Sequence, residues 1–218
     1  MLDHYLPTVR GDAAHYCRPL ELVSASSGPS LPVWPGNAGA QRTRILAYLK
    51  AAHPLTLPLL NALAQHHCQP PISALVYAED AQEIGNPHAN IHIQNTPLPF
   101  RALLQGSPLQ PGAQLVIHQG GIGASSQALL AGVPQLLLPD MAEAFITART
   151  LVRQGVAELL RPEASRELLI QTLGQIINGA RYGERAAVLA QQNMLPAGNN
   201  EAFMWRKLIE LFSGAACC

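Results

Sequence analysis

The residues best equipped for chemistry lie between His118 and Glu143. His118-Gln119-Gly120-Gly121-Ile122-Gly123-Ala124-Ser125-Ser126 follows the apolar run Leu115-Val116-Ile117 and leads into a helical segment. A buried strand that empties into glycines at a helix N-terminus suits an anion. The first N–H groups of the helix have no acceptor within it, its dipole favours negative charge, and glycine lets a ligand reach the main chain. This spacing predicts a diphosphate held by amides near Gly121 and Ser125, with the hydroxyl of Ser125 or Ser126 as cap or ligand. Further along, Glu143 offers a carboxylate to sugar hydroxyls, and bonds to a charged group contribute roughly 1.5–3 kcal/mol each.

The elements that must position these residues alternate in type. Ile45–Leu49, Ile72–Tyr77, Asn90–Gln94, Gln114–His118, Gln135–Leu138 and Val156–Leu160 read as strands. Helices are expected over Pro58–Gln65, Ser126–Ala131, Ala144–Gln154, from Pro162-Glu163 to Asn178, over Tyr182–Gln192 and over Glu201–Phe212. Gly132 stands where a helix stops, with Pro134 just beyond it. Strands separated by helices pair in parallel, because parallel neighbours need crossover connections. The expected fold is therefore α/β, a doubly wound, Rossmann-like parallel sheet. In such sheets ligands lie beyond the carboxyl ends of the strands where the winding reverses, so the loops Gln119–Ser126 and Pro139–Glu143 should face one cleft. The expected organisation is an arm over residues 1–38, rich in proline, a sheet domain over 39–195, and a C-terminal helix and tail over 196–218.

Fourteen basic and fourteen acidic residues cancel and form no long run, which argues against nucleic acid or an anionic membrane as partner. The longest apolar stretches are too short to cross a bilayer, and the N-terminus lacks a signal-peptide core, so a cytoplasmic location is expected. Cys17, Cys68, Cys217 and Cys218 have no metal-ligand spacing, and His66-His67-Cys68 are neighbours that share no helix face. Neither a metal nor a cofactor is expected.

His118-Gln119-Gly120-Gly121-Ile122-Gly123-Ala124-Ser125, then Ala128-Leu129-Leu130-Ala131-Gly132-Val133-Pro134-Gln135-Leu136, then Pro139 with Glu143 four residues on, resembles the donor-binding half of family 1 glycosyltransferases of the GT-B fold. The resemblance is to the bacterial macrolide-type members. The resemblance covers about Leu31 to Leu173, and Leu2-Asp3-His4-Tyr5 with Arg10 and Tyr16 is similar to the segment that joins the two halves. It implies a single GT-B-type half domain that binds a UDP- or TDP-sugar. Transfer of the hexosyl group to an acceptor hydroxyl would then need an N-terminal acceptor-binding half or partner subunit, which supplies the catalytic base.

By the same resemblance His118, Gln119, Gly120, Gly121, Gly123 and Ser125 hold the diphosphate, Glu143 the sugar, and Pro97 and Leu98 the nucleobase. The phosphate-binding histidine of the family falls on Gln119, with His118 one residue earlier, on the opposite face if the strand continues. Ala144 replaces the amide that follows the acidic residue in the family. Lys50, at the end of the first strand, is placed to meet a phosphate or to remain a solvated charge, and Trp34 to anchor the arm.

Two other readings stand beside this one. The first is a non-catalytic nucleotide-sugar-binding remnant or scaffold. The second is a dinucleotide-dependent enzyme, against which the glycine turn lacks the third fingerprint glycine and a strand-end acid about twenty residues on.

Overall fold

In the computed structural model, residues 31–36, 42–65, 71–79 and 88–192 are described. Six parallel strands make the main sheet: β1 (Thr43–Leu49), β2 (Ile72–Ala78), β3 (Ile91–Gln94), β6 (Leu115–His118), β7 (Gln135–Leu137) and β8 (Ala157–Leu159). Between β3 and β6 the chain adds a small antiparallel hairpin, β4 (Gly106–Ser107) and β5 (Gln110–Pro111). The order across the sheet is β3-β2-β1-β6-β7-β8, so the winding reverses between β1 and β6. Ile45, Leu46 and Ala47 of β1 pair with Leu115, Val116 and Ile117 of β6 across that reversal.

The helices are α1 (Thr56–Gln65), α2 (Phe100–Gln105), α3 (Ile122–Ala131), α4 (Ala142–Arg153), α5 (Arg166–Asn178) and α6 (Ala180–Gln192). Alternation along β1 shows why both faces of the sheet are covered. Ile45, Ala47 and Leu49 pack with Leu59 and Leu63 of α1 and Leu169 and Leu173 of α5. Leu46 packs to the other side with Leu103 and Leu104 of α2 and Ala128 of α3. Strands buried on both faces read as continuous apolar runs, as β1, β2 and β6 do. The doubly wound α/β architecture expected from the sequence is therefore the one observed.

The differences from the sequence expectations fall at helix starts. The helix α3 begins at Ile122, four residues before the expected Ser126, so the glycine–serine segment is its first turn. The helix α4 begins at Ala142, which places Glu143 in a first helical turn instead of a loop. The helix α5 begins at Arg166 under a cap in which the Ser165 side chain accepts from Leu168 N–H, and Pro162-Glu163 lie outside it. The helix α2 and the hairpin have no counterpart in the expected elements. The expected helix Glu201–Phe212, His66-His67-Cys68 and all four cysteines lie outside the described residues.

At the other end of α3, Gly132 takes φ +71 and its N–H reaches Ala128 O and Leu129 O, so the helix stops where the sequence signals. Trp34 donates its indole N–H to Pro111 O at 3.0 Å and packs on the α2 side of the core, which fixes residues 31–36 against the hairpin. No helix among the described residues is long and apolar enough to cross a membrane.

Candidate functional site

The last residue of β6, His118, is 2% exposed and lies on the same face as Val116, beneath α3. Its Nδ1 accepts the Gly120 N–H at 3.1 Å, so the ring proton sits on Nε2, which donates to Gln135 Oε1 at 3.0 Å. Gln135 Nε2 in turn donates to Ser125 O at 3.2 Å. A buried relay thus ties the end of β6, the glycine turn, the start of β7 and the first turn of α3 together. Burial holds the His118 imidazole down at a pKa of about 4, with the Gln135 bond a smaller opposing effect. The ring is neutral and both nitrogens are engaged, so its place in this structure is under the turn and not on the turn's outer surface.

The relay shapes the turn. Gly120 adopts φ +85, a conformation that costs a residue with a side chain energy, and a Cβ there would meet Ala144 O at 3.2 Å. The glycine turn and the first turn of α4 are therefore in contact, and Glu143 stands beside them on the exposed side. A Cβ at Gly121 or Gly123 would meet nothing within 4 Å. The first α3 bond runs from Ser125 N to Gly121 O at 3.0 Å, so the amides of Gly121, Ile122, Gly123 and Ala124 precede the ladder and have no acceptor within the helix. Among the described residues no side chain caps this end.

Two polar side-chain atoms at the turn have no partner among the described residues, Gln119 Nε2 and Ser125 Oγ, and both atoms are shielded from solvent. Ser125 as a whole is fully buried.

Lys50 Nζ lies 2.6 Å from Asp140 Oδ2. Lys50 follows β1 and Asp140 follows β7, and β6 lies between these strands, so the pair crosses over the β6 end. Its side chains are 54% and 29% exposed, and ion pairs of that kind contribute about 0–1 kcal/mol. Nearby, His53 is buried, its Nε2 has no partner among the described residues, and burial lowers its pKa, with smaller opposed influences from Asp140 and Lys50.

At the β3 end, Pro97 is exposed while the Leu98 side chain is 4% exposed and packs with Leu46 and Leu75. The Leu98 carbonyl accepts the Tyr48 hydroxyl. Tyr48 stacks edge-on against Phe100 and tilted on Tyr77, each at 5.0 Å, and burial pushes its hydroxyl pKa up to about 12. That phenol is a fixed hydrogen-bond donor which positions the 95–99 loop.

The fold thus brings Gln119, Gly120, Gly121, Gly123, Ser125 and Glu143 to one end of the sheet, with Pro97 and Leu98 on the same end beyond β3. Sequence reasoning missed Gln135, Tyr48 and Asp140. Gln135 carried a signal, an amide opening an otherwise apolar strand, where only a hydrogen-bonded side chain is tolerated. Cavities of about 690 Å³ beside α4 and α6 and about 450 Å³ at the amino ends of β1 and β6 lie away from these residues. The chemistry of its residues marks the carboxyl-end surface.

Residues 74–209 match the family model described as the erythromycin biosynthesis protein CIII-like C-terminal domain. A PGL/p-HBAD biosynthesis glycosyltransferase of Mycobacterium tuberculosis is 28% identical over 189 residues, which are 85% of this chain and 41% of that protein. The glycosyltransferase SnogD of Streptomyces nogalater is 25% identical with a TM-score of 0.62, over 93% of this chain and 52% of that one. The glycosyltransferase VinC, solved in complex with DTDP, is 23% identical with a TM-score of 0.61, over 78% and 42% of the two chains, a likeness of fold. The chain therefore spans about half or less of the length of the proteins it matches. With more than half of its residues inside the matched family and its sheet wound as theirs, the chain belongs to the erythromycin biosynthesis protein CIII-like C-terminal domains, of the GT-B glycosyltransferases.

Proposed function

We propose that the chain is the donor-binding half of a nucleotide-sugar glycosyltransferase. It binds a UDP- or TDP-sugar and takes part in hexosyl transfer to an acceptor hydroxyl once an acceptor-binding half completes the cleft. The observation that carries this reading is the buried relay from Gly120 through His118 and Gln135 to Ser125. It fixes a glycine turn whose free amides lie at the reversal of the winding, where anionic ligands are bound in such sheets.

In this reading the amides at Gly121 and Gly123 hold the diphosphate, with Gly120 setting the turn. Gln119 adds a neutral donor through its unpartnered Nε2, and Ser125 Oγ provides a second unpartnered group. His118 acts from beneath as a positioning residue. Glu143 accepts bonds from sugar hydroxyls, and Pro97 with the Leu98 main chain flanks the base. The exposed apolar side chains of Ile122 and Met141 beside the turn suit a face that a second half would cover. The group that deprotonates the acceptor hydroxyl comes from that half.

Calorimetric titration with thymidine diphosphate, uridine diphosphate and NAD is the direct test. Binding of a pyrimidine diphosphate well ahead of NAD is expected, and preferential NAD binding would sink the reading. A second reading, a nucleotide-sugar-binding protein without turnover, is favoured by Gln119 and Ala144, which stand where the family resemblance places the phosphate-binding histidine and an amide. Sugar transfer on mixing with an acceptor-binding half selects between the two.

A further inference from the structure

The glycine turn carries no cation of its own. Gln119 to Ser126 contains neither lysine, arginine nor histidine. A diphosphate brings at least two negative charges to amides and one helix dipole, which together offer about half an elementary charge. Among the described residues of the loops after β1, β3, β6 and β7, Lys50 is the one lysine or arginine. It is also the residue whose ammonium group reaches across the β6 end to Asp140, at 2.6 Å.

The two ends of this bridge are built differently. The Lys50 main chain is fixed, since its carbonyl accepts the His53 N–H at 3.1 Å and the Thr56 hydroxyl at 2.7 Å. Its side chain is half exposed, on a long stem with several rotatable bonds. Neighbouring strands are about 4.8 Å apart, so a bond between groups anchored at β1 and β7 must pass over the β6 end. An ammonium that can meet Asp140 there can equally meet an anion seated on the β6 turn. A phosphate with two charges competes well against one part-exposed carboxylate.

Resting on the donor-binding reading, we infer that Lys50 is the positioning cation of the diphosphate. It is held by Asp140 when the site is empty and transfers to the phosphate oxygens when a nucleoside diphosphate binds. Asp140 then acts against binding, because it must release the ammonium before the ligand can take it. No covalent bond changes and no proton moves. Only the partner of the ammonium differs between the two states.

Opposite signs test this exchange. Titration with thymidine and uridine diphosphates, and with the corresponding monophosphates, is run on the full chain and on Lys50→Met, Lys50→Arg and Asp140→Asn. Lys50→Met should weaken diphosphate binding by about tenfold and the monophosphates less, Lys50→Arg should restore most of it, and Asp140→Asn should tighten the diphosphate by about two- to threefold. If Asp140→Asn weakens binding as Lys50→Met does, the pair is a structural clamp and the inference is wrong. Unchanged binding in Lys50→Met also overturns it. If the unaltered chain binds no diphosphate, the donor-binding reading fails and the inference with it, which separates that failure from the other two. Both side chains are part-exposed, and circular dichroism of each variant checks that the fold persists.

Discussion

At the residue scale, the structure separates the groups that meet solvent from those that hold them in place. His118 is the instructive case. Its type and its place before the glycines are visible in the sequence and point to chemistry, but its direction depends on where β6 ends. The strand runs through His118, so the ring falls with Val116 on the α3 side and is buried there. A residue-by-residue resemblance could not supply this, because one position of register turns a side chain to the opposite face. A pH dependence follows. The imidazole has a pKa of about 4 in the fold against about 6.5 in an unfolded chain, so the unfolded state binds more protons between these values. Stability from this group is complete above pH 6.5 and is lost as pH falls towards 4, by about 3 kcal/mol over the window. Denaturant unfolding at pH 7 and 4.5 should show a steeper loss in the unaltered protein than in His118→Gln, and parallel losses would refute the assignment. Gly120→Ala is expected to cost about 1–3 kcal/mol, from a positive φ and from the Ala144 carbonyl at 3.2 Å, and the same unfolding measurement checks it.

Elements were legible where apolar pattern alone decides them. β1, β2 and β6 are apolar runs bounded by polar or turn residues, and Gly132 gives the end of α3 through a left-handed cap that few other residues adopt. Helix starts were less legible, because two signals compete there. Gly123 and Ser125 have poor helix propensity and read as a turn, yet the bond from Gln135 Nε2 to Ser125 O draws that segment into α3. That contact joins the helix to a residue ten positions on, in β7, so it leaves no mark within the glycine–serine segment itself. The six-residue helix α2 and the two-residue strands of the hairpin are too short to show a period. At the start of α5, Pro162 drew the expectation while Ser165 does the capping, its hydroxyl 3.2 Å from Leu168 N. Ser165→Ala should therefore cost about 0.5–2 kcal/mol. Thermal unfolding measures this, and a change below a few tenths would mean that α5 starts elsewhere or is capped by another group.

At the scale of the whole molecule, the reversal of the winding between β1 and β6 gathers residues far apart in sequence at one end of the sheet. Lys50, Gln119 and Asp140 lie on three adjacent strand ends, and alternating strands and helices were enough to anticipate that end as the ligand face. The pairing of Lys50 with Asp140 was not anticipated, because it depends on the spatial order of strands, which a linear pattern does not contain. This common location makes ligand binding and global stability one measurement. A nucleoside diphosphate that contacts β1, β6 and β7 together binds the folded chain and not the unfolded one, so at a hundred times its Kd it should add about 2.7 kcal/mol to the unfolding free energy. For a domain of this size each kcal/mol moves Tm by about 2–4 °C, so a rise of about 5–10 °C is expected with a saturating diphosphate. NAD at equal concentration should give a markedly smaller rise, since the turn lacks the dinucleotide fingerprint. Ile122→Pro removes one of the amides that precede the α3 ladder, at the first helical position and after the extended Gly121 (ψ 138), where a proline is tolerated, so it should keep the fold and lose most of the diphosphate-dependent rise. A rise that persists in this variant would place the ligand away from the α3 terminus, and the anion site would have to be sought elsewhere on the sheet.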